Sequence, residues 1–246
     1  MNVPIQEDFK LPSLGKVYNK PFDPRVKLRS MTVVDEMKRL NPTTTPYRTM
    51  SEIIEDCLLT KLPISVYDLC LGDYVYLLNK LRIVTYGNQY KYTAICPVCG
   101  NQDQGVFNLD DLIINEYTDD IEELKNVTLS SGKVAHLKFQ TPRDLDNISN
   151  KVSEYKKNYP DSQADPTVLY TLMSFIDYID GVSPTLLEET LKVLPASDYN
   201  VLSQVGAKLN RKVGIDAVMP FTCKACNNSV NLPFRYTSEF FRPSID

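Results

Sequence analysis

The sequence predicts an α+β fold: a small β element built on two Cys-x-x-Cys turns, a mostly helical insertion between those turns, and an extended N-terminal arm. Three observations predict it. Four of the six cysteines form two pairs, Cys96-Pro-Val-Cys99 and Cys223-Lys-Ala-Cys226, each flanked by short strand-like segments. The stretch between the pairs carries repeated helix starts in which a proline follows Thr, Asp or Ser. Residues 1–25 hold Pro4, Pro12, Pro21 and Pro24 with little periodicity, which is extended chain and not helix.

The elements follow in order. Val26 to Met31 alternates and reads as a short strand. Thr32 caps a helix with Asp35 and Glu36 in its first turn, running to about Arg39. Met50 to Leu59 reads as a second helix capped by Ser51, and Ser65 as the cap of a third over about 66–83, with Asp68 at capping distance and Gly87 closing the segment. Val134 to Phe139 reads as a strand after the Ser131-Gly132 turn. Thr141-Pro142 opens a helix to about Asn158, Asp165-Pro166 one over 166–179, and Ser183-Pro184 one over 184–193. Ser197 caps a last helix over 198–212, with Gly214 just beyond it. The expected organisation is an arm (1–25), a helical segment with the first knuckle (26–110), the insertion (111–214), and the second knuckle with the C-terminus (215–246) packing on 26–110.

Composition excludes several function classes. The chain has 246 residues, 43 % of them hydrophobic, with 15 Tyr and 9 Phe, enough for a sizeable core in one or two domains. Its net charge of −4 argues against a surface built to neutralise phosphates, so nucleic acid is not the expected partner. No stretch reaches the roughly 18 apolar residues of a membrane span, and the polar N-terminus lacks the apolar region of a secretory signal. A reducing cytoplasm is therefore the expected compartment.

In that compartment paired Cys-x-x-Cys units read as metal or redox sites. Four thiolates from Cys96, Cys99, Cys223 and Cys226 would complete a tetrahedral zinc site with no open position. Tyr90 to Ile95 leads into the first pair and Val106 to Leu109 leaves it; Ala217 to Thr222 and Ser229 to Leu232 do the same for the second. That is the pattern of two zinc knuckles on facing hairpins. Residues 100–222 separate the pairs, whereas a compact ribbon has about 15–20 between them, so the metal would close a long loop. A thioredoxin-like redox pair is the competing reading, but Gly100-Asn-Gln-Asp is a poor helix start. Four unrelated buried thiols is the other. Cys57 and Cys70 sit in apolar runs and read as core residues.

No catalytic set emerges. The sequence holds no phosphate-binding glycine loop, no His-Glu-x-x-His and no Gly-x-Ser-x-Gly. Its single histidine, His136, lies in an alternating strand. The acidic pairs Asp110-Asp111, Asp119-Asp120 and Glu122-Glu123 read as solvated surface, without a convergent partner. Tyr86, Tyr90 and Tyr92 fit an interface patch and half-buried strand positions equally well. The arm is too apolar for a free tail: Phe9, Leu11, Leu14 and Tyr18 are expected to dock on the chain's own body or on a neighbour, and are the candidate partner-binding residues.

An ordered set of short motifs carries a family resemblance. Leu11-Pro12-Ser13-x-Gly15-x-x-Tyr18 is followed by Thr32-Val-Val-Asp-Glu36, Asp73-x-x-x-Leu77-Leu78-x-x-x-Arg82 and Tyr86-Gly87-x-x-Tyr90. The two Cys-x-x-Cys pairs come next, then Leu232-Pro233 and Phe240-Phe241-Arg242-Pro243. In this order the chain resembles the baseplate hub and assembly proteins of contractile-tailed, T-even-like bacteriophages, over most of its length and most loosely over about 140–215. The resemblance implies a non-enzymatic structural or assembly component of a phage tail baseplate. Such a protein would be made in the host bacterial cytoplasm, be carried in the virion tail, and bind other tail and baseplate proteins with no small-molecule substrate. A zinc-ribbon nucleic-acid-binding protein is the alternative, in which Lys208, Arg211, Lys212 and Lys224 would form a local basic patch.

Overall fold

The structure is a computed structural model that describes residues 5–234, 236 and 238–241. Residues 1–4 of the arm, and Arg242 and Pro243 of the C-terminal motif, lie outside the described residues. The chain mixes helix and sheet, as an α+β reading requires.

The arm begins as strand β1 (Gln6–Lys10), paired antiparallel with β2 (Arg25–Arg29). Between them the chain loops back, Leu11 N–H donating to the Pro24 carbonyl at 2.9 Å. Gly15 sits at the tightest point of this loop: its φ is +69°, and a Cβ there would fall 2.0 Å from the Phe22 carbonyl oxygen. Helix α1 (Val33–Leu40) opens at Thr32, whose N–H and hydroxyl both donate to the Asp35 carboxylate at 2.8 Å. Helix α2 (Pro46–Cys57) corrects the expected start at Met50: Thr45-Pro46 opens the helix a turn earlier, and Ser51 is a buried interior residue donating to the Tyr47 carbonyl.

The expected third helix is two elements. Ser65 does cap a turn, accepting from Tyr67 N–H, but it is a short 3₁₀ turn over Val66–Asp68. The chain is extended at Leu69 and Cys70, where the Cys70 N–H donates to the Tyr18 hydroxyl, and helix α3 (Leu71–Tyr86) starts beyond that break. α3 is apolar on all sides and buries residues around its whole circumference, as a central helix must. Gly87 closes it.

Two hairpins follow the cysteine pattern. β3 (Gln89–Ile95) pairs with β4 (Gln102–Asn108), and β10 (Val218–Thr222) with β11 (Ser229–Pro233), both antiparallel. Between them in sequence lie β5 (Ile114–Asn115), β6 (Asn126–Thr128), β7 (Val134–Leu137), α4 (Pro142–Asn158), α5 (Thr167–Phe175), β8 (Ile176–Ile179), α6 (Leu187–Lys192), α7 (Ala196–Arg211) and β9 (Gly214–Ile215). β5 and β9 pair, so the two ends of this long stretch leave and return side by side.

The stretch is less helical than expected, because β6, β7 and β8 form a three-stranded antiparallel sheet. Residues 176–179, expected as the end of a helix, are its edge strand, held by pairs such as His136↔Tyr178. α4 starts as expected at Thr141-Pro142, with the Thr141 N–H donating to Asp144 at 2.9 Å. α7 opens at Ala196 after Pro195, and Ser197 lies inside it, not at its cap.

Two main cores result. Leu11, Leu28, Ile53, Leu77, Leu81, Leu109 and Phe240 belong to one, which thus joins the arm, α2, α3 and the C-terminus. Ile121, Leu137, Ile179, Leu202 and Leu209 belong to the other, under the three-stranded sheet. Among the described residues no helix is long and apolar enough to cross a membrane.

Candidate metal centre

The cysteines sit at the tips of the two hairpins, and the tips share one backbone design. Cys96 N–H donates to the Asn101 carbonyl at 2.8 Å, and Cys223 N–H to the Asn228 carbonyl at 3.0 Å. Inside each turn the residue after the second cysteine donates back to the first: Gly100 N–H to Cys96 O at 2.9 Å, Asn227 N–H to Cys223 O at 2.9 Å. Those two residues have φ of 74° and 57°, the left-handed region that glycine and asparagine tolerate best. The sequence therefore places Gly and Asn where the turn geometry asks for them.

This design aims all four thiols inward. The four Sγ atoms lie within 4.8 Å of one another. Cys96 and Cys226 sulfurs are 3.8 Å apart, and Cys99 and Cys223 sulfurs 3.6 Å. A disulfide would require about 2.05 Å, so neither contact is one. The group is fit to hold a metal ion, and among the described residues no other His, Cys, Asp or Glu group of three or more converges in this way.

The surroundings hold the thiols in place. Val98 N–H points at the Cys96 sulfur at 3.4 Å, and the Asn228 side-chain amide at the Cys226 sulfur at 3.4 Å. The Asn228 side chain and its N–H hold the Cys226 thiol down at about 6. For Cys99 the Asn101 N–H also lowers the thiol, but hydrogen bonding to Cys226, desolvation and the other thiols outweigh it and push it up to about 12. Asp103, a buried residue, ties one hairpin tip to the other: its carboxylate accepts the Lys224 N–H at 2.8 Å and the Asn101 amide at 3.0 Å. Phe221 closes the inner side of the cluster, with Tyr92, Val230 and Leu232 packed around it.

The arm residues are placed differently from one another. Leu11 is fully buried in the first core, so it faces this chain and not a partner. Phe9 is half-buried against Tyr76, ring centroids 6.5 Å apart, and Leu14 is half-buried too. The Tyr18 ring stacks on Phe22 at 5.0 Å, and its hydroxyl donates to Asp73 at 2.6 Å.

Asp73, with no exposed surface, also accepts the Ser13 N–H at 2.9 Å and the Ser13 hydroxyl at 2.5 Å. Arg82, equally buried, donates to the carbonyls of Phe240 at 2.7 Å, Gly87 at 2.7 Å and Gln89 at 3.3 Å. Neither residue stood out as a site in sequence; the signal was a charged residue inside an otherwise apolar helical run.

The remaining candidates are accounted for by local partners. His136 Nε2 lies 3.1 Å from Asp180, and its ring stacks on Tyr178 at 4.1 Å. Asp110 takes Lys80, Asp120 takes Lys212 and Glu122 takes Lys125. Cys57 is fully buried in the first core, with its thiol pushed up to about 12 by burial. Cys70 is buried beside Tyr18, 3.5 Å from its hydroxyl. Tyr86, Tyr90 and Tyr92 are half-buried against the first core. Of the basic residues, Lys212 is spent on Asp120 and Lys224 on the Gln104 carbonyl, and nothing supports a nucleic-acid surface.

A family model described as T4 bacteriophage base plate protein matches residues 5–242. No curated protein and no solved structure matches the chain.

Proposed function

The chain belongs to the T4 bacteriophage base plate protein family and is a structural or assembly component of a phage tail baseplate; from that premise we propose that it is a zinc-clamped, non-enzymatic scaffold acting through contacts with other baseplate proteins. The observation that carries the zinc assignment is the sulfur spacing. Four thiolates at about 2.3 Å from one zinc ion lie about 3.8 Å from each other along the edges of a tetrahedron. The two close pairs, at 3.8 and 3.6 Å, match that edge.

Cys96, Cys99, Cys223 and Cys226 would then fill the coordination sphere and leave no position for substrate or water, so the ion stabilises and does not react. The two hairpins become one zinc-ribbon-like unit whose cysteine pairs are separated in sequence by residues 100–222. Phe9 and Leu14, half-buried on the body, keep one side open to a partner, while Leu11 and Tyr18 work inward. Synthesis and assembly in the host bacterial cytoplasm supply the reduced thiols this site needs.

Two measurements test the reading. Native mass spectrometry with elemental analysis should find one zinc per chain, released by acid as the thiolates protonate; metal-free protein with free thiols or disulfides refutes the clamp. Quantitative mass spectrometry of purified tails and of assembly intermediates should find the chain in one or both; its absence from the tails and from every intermediate refutes the baseplate role.

A further inference from the structure

Helix α1 is built inside out. Each of its charged side chains has a partner, and none of them occupies the outer stripe. Asp35, its side chain 4 % exposed, pairs with Arg29 at 2.7 Å. Glu36 accepts from the Tyr86 hydroxyl and from Arg39, whose guanidinium lies over the Phe241 ring at 5.6 Å. Lys38 reaches Asp56 on α2 at 2.5 Å. Val33, Val34, Met37 and Leu40 are instead 77 %, 62 %, 67 % and 69 % exposed. Positions 33, 37 and 40 are i, i+4 and i+7, with 34 beside them, so the four side chains form one stripe. A surface helix ordinarily turns its apolar stripe to the core and its charges to water. Here the charges anchor the helix and the stripe is left outside.

We propose that α1 is a docking helix that seats the stripe of Val33, Val34, Met37 and Leu40 in an apolar groove on another baseplate protein. The proposal rests on the baseplate reading above and names the surface that reading requires. Geometry favours a groove over a second copy of this chain. Eight residues make a helix about 12 Å long, and the stripe is a patch of a few hundred Å². Two such patches laid together fall well short of the roughly 800 Å² per partner that a specific interface buries. A groove encloses the convex helix from its sides and adds its own wall area. Anchors at i, i+4 and i+7 are the pattern by which grooves read a helix. The cap at Thr32 and the ion pairs hold the helix formed before it meets its partner, which lowers the ordering entropy of docking.

The test uses extract from cells infected with phage lacking this chain, supplemented with the purified full-length protein at limiting concentration. Completed baseplates are counted by electron microscopy. Met37→Asp should melt like the wild type, because the position is exposed, yet lower completion about 100-fold by burying an unpaired carboxylate. Val193→Asp, at a position 80 % exposed outside the stripe, should leave completion unchanged. A photo-crosslinker at position 37 should attach to an apolar segment of another baseplate protein. Completion by Met37→Asp at the wild-type level, or a crosslink to a second copy of this chain, overturns the docking helix alone. Failure of the wild-type protein to complete baseplates overturns the assembly reading and the docking helix with it.

Discussion

Replacing Asp73 by Asn tests whether the arm is held by the buried cluster beneath it. The carboxylate has no exposed surface and accepts three hydrogen bonds, from the Ser13 N–H, the Ser13 hydroxyl and the Tyr18 hydroxyl. An asparagine carbonyl can keep the Ser13 N–H. Its amide group then faces two hydroxyls that are already accepting, Ser13 from Gly15 N–H and Tyr18 from Cys70 N–H. Two charge-assisted bonds are lost at about 1.5–3 kcal/mol each. Burial pushes the Asp73 carboxyl up, so removing the charge returns part of that cost. The net loss should be about 2–3 kcal/mol.

Ser13→Ala removes one donor from the carboxylate and should cost about 1.5–3 kcal/mol. The double variant should show a coupling of about 1 kcal/mol or more, because both changes break the same network. Urea denaturation gives the three free energies. Amide exchange at Ser13 and Cys70 should quicken in either single variant. An Asp73→Asn protein within about 0.5 kcal/mol of the wild type, with no coupling to Ser13, would refute the reasoning and detach the arm from the core.

Three further outcomes are expected. Cys223→Ser should abolish zinc binding and lower the melting temperature steeply, since structural zinc supplies on the order of 10 kcal/mol to small sites, while Cys57→Ser should cost about 1–3 kcal/mol as a buried polar substitution; equal melting of the two variants would count against the clamp. Arg82→Met removes the donor to the carbonyls of Gly87, Gln89 and Phe240, the last of them buried, and should cost about 3–5 kcal/mol in chemical denaturation. Asp35→Asn should cost about 1–2 kcal/mol at pH 7, and the deficit should shrink in acid. Burial alone would raise the Asp35 carboxyl, but Arg29 and Thr32 outweigh it and hold it at about 2. Its stabilisation is therefore full above the ordinary carboxylate range and is lost as pH falls through about 2, so a deficit that stays constant down to pH 2 would contradict the assignment.

What could be read from sequence was what depends on near neighbours. The two hairpins were legible because each Cys-x-x-Cys pair is flanked by short alternating segments that pair across it; the left-handed Gly100 and Asn227 after the second cysteine complete the same turn in both. α4 was legible because Thr141, Pro142 and Asp144 satisfy the free N–H groups of one helix end by themselves. The misreadings share a tertiary cause. Ile176-Asp-Tyr-Ile179 is apolar enough for either state, and pairing with β7 decided for strand. The helix expected from Ser65 is interrupted at Cys70, where the Tyr18 hydroxyl takes the N–H and the Gln140 carbonyl takes that of Leu71. Tyr18 lies 52 residues away, and no local pattern announces it.

The same distance problem explains why the motifs were recognisable before their purpose was. Asp73 and Arg82 are nine positions apart on α3, two and a half turns, so their side chains leave opposite faces of one helix. Asp73 receives the arm from 60 residues upstream, and Arg82 receives the C-terminal Phe240 from 158 residues downstream. Each is a buried charge that an apolar helix tolerates only while its distant partner is in place. Sequence therefore shows an oddly charged core helix, and only the fold shows that Ser13 and Tyr18 of the arm, and Phe240 far downstream, are tied to it. That arrangement makes Leu11, Ser13 and Tyr18 of the arm part of the structural centre. With Ser13, Tyr18 and Phe240 fastened inward, contacts with neighbours fall to surfaces that stay outside, and α1, fixed by its charges with its apolar side in water, is such a surface.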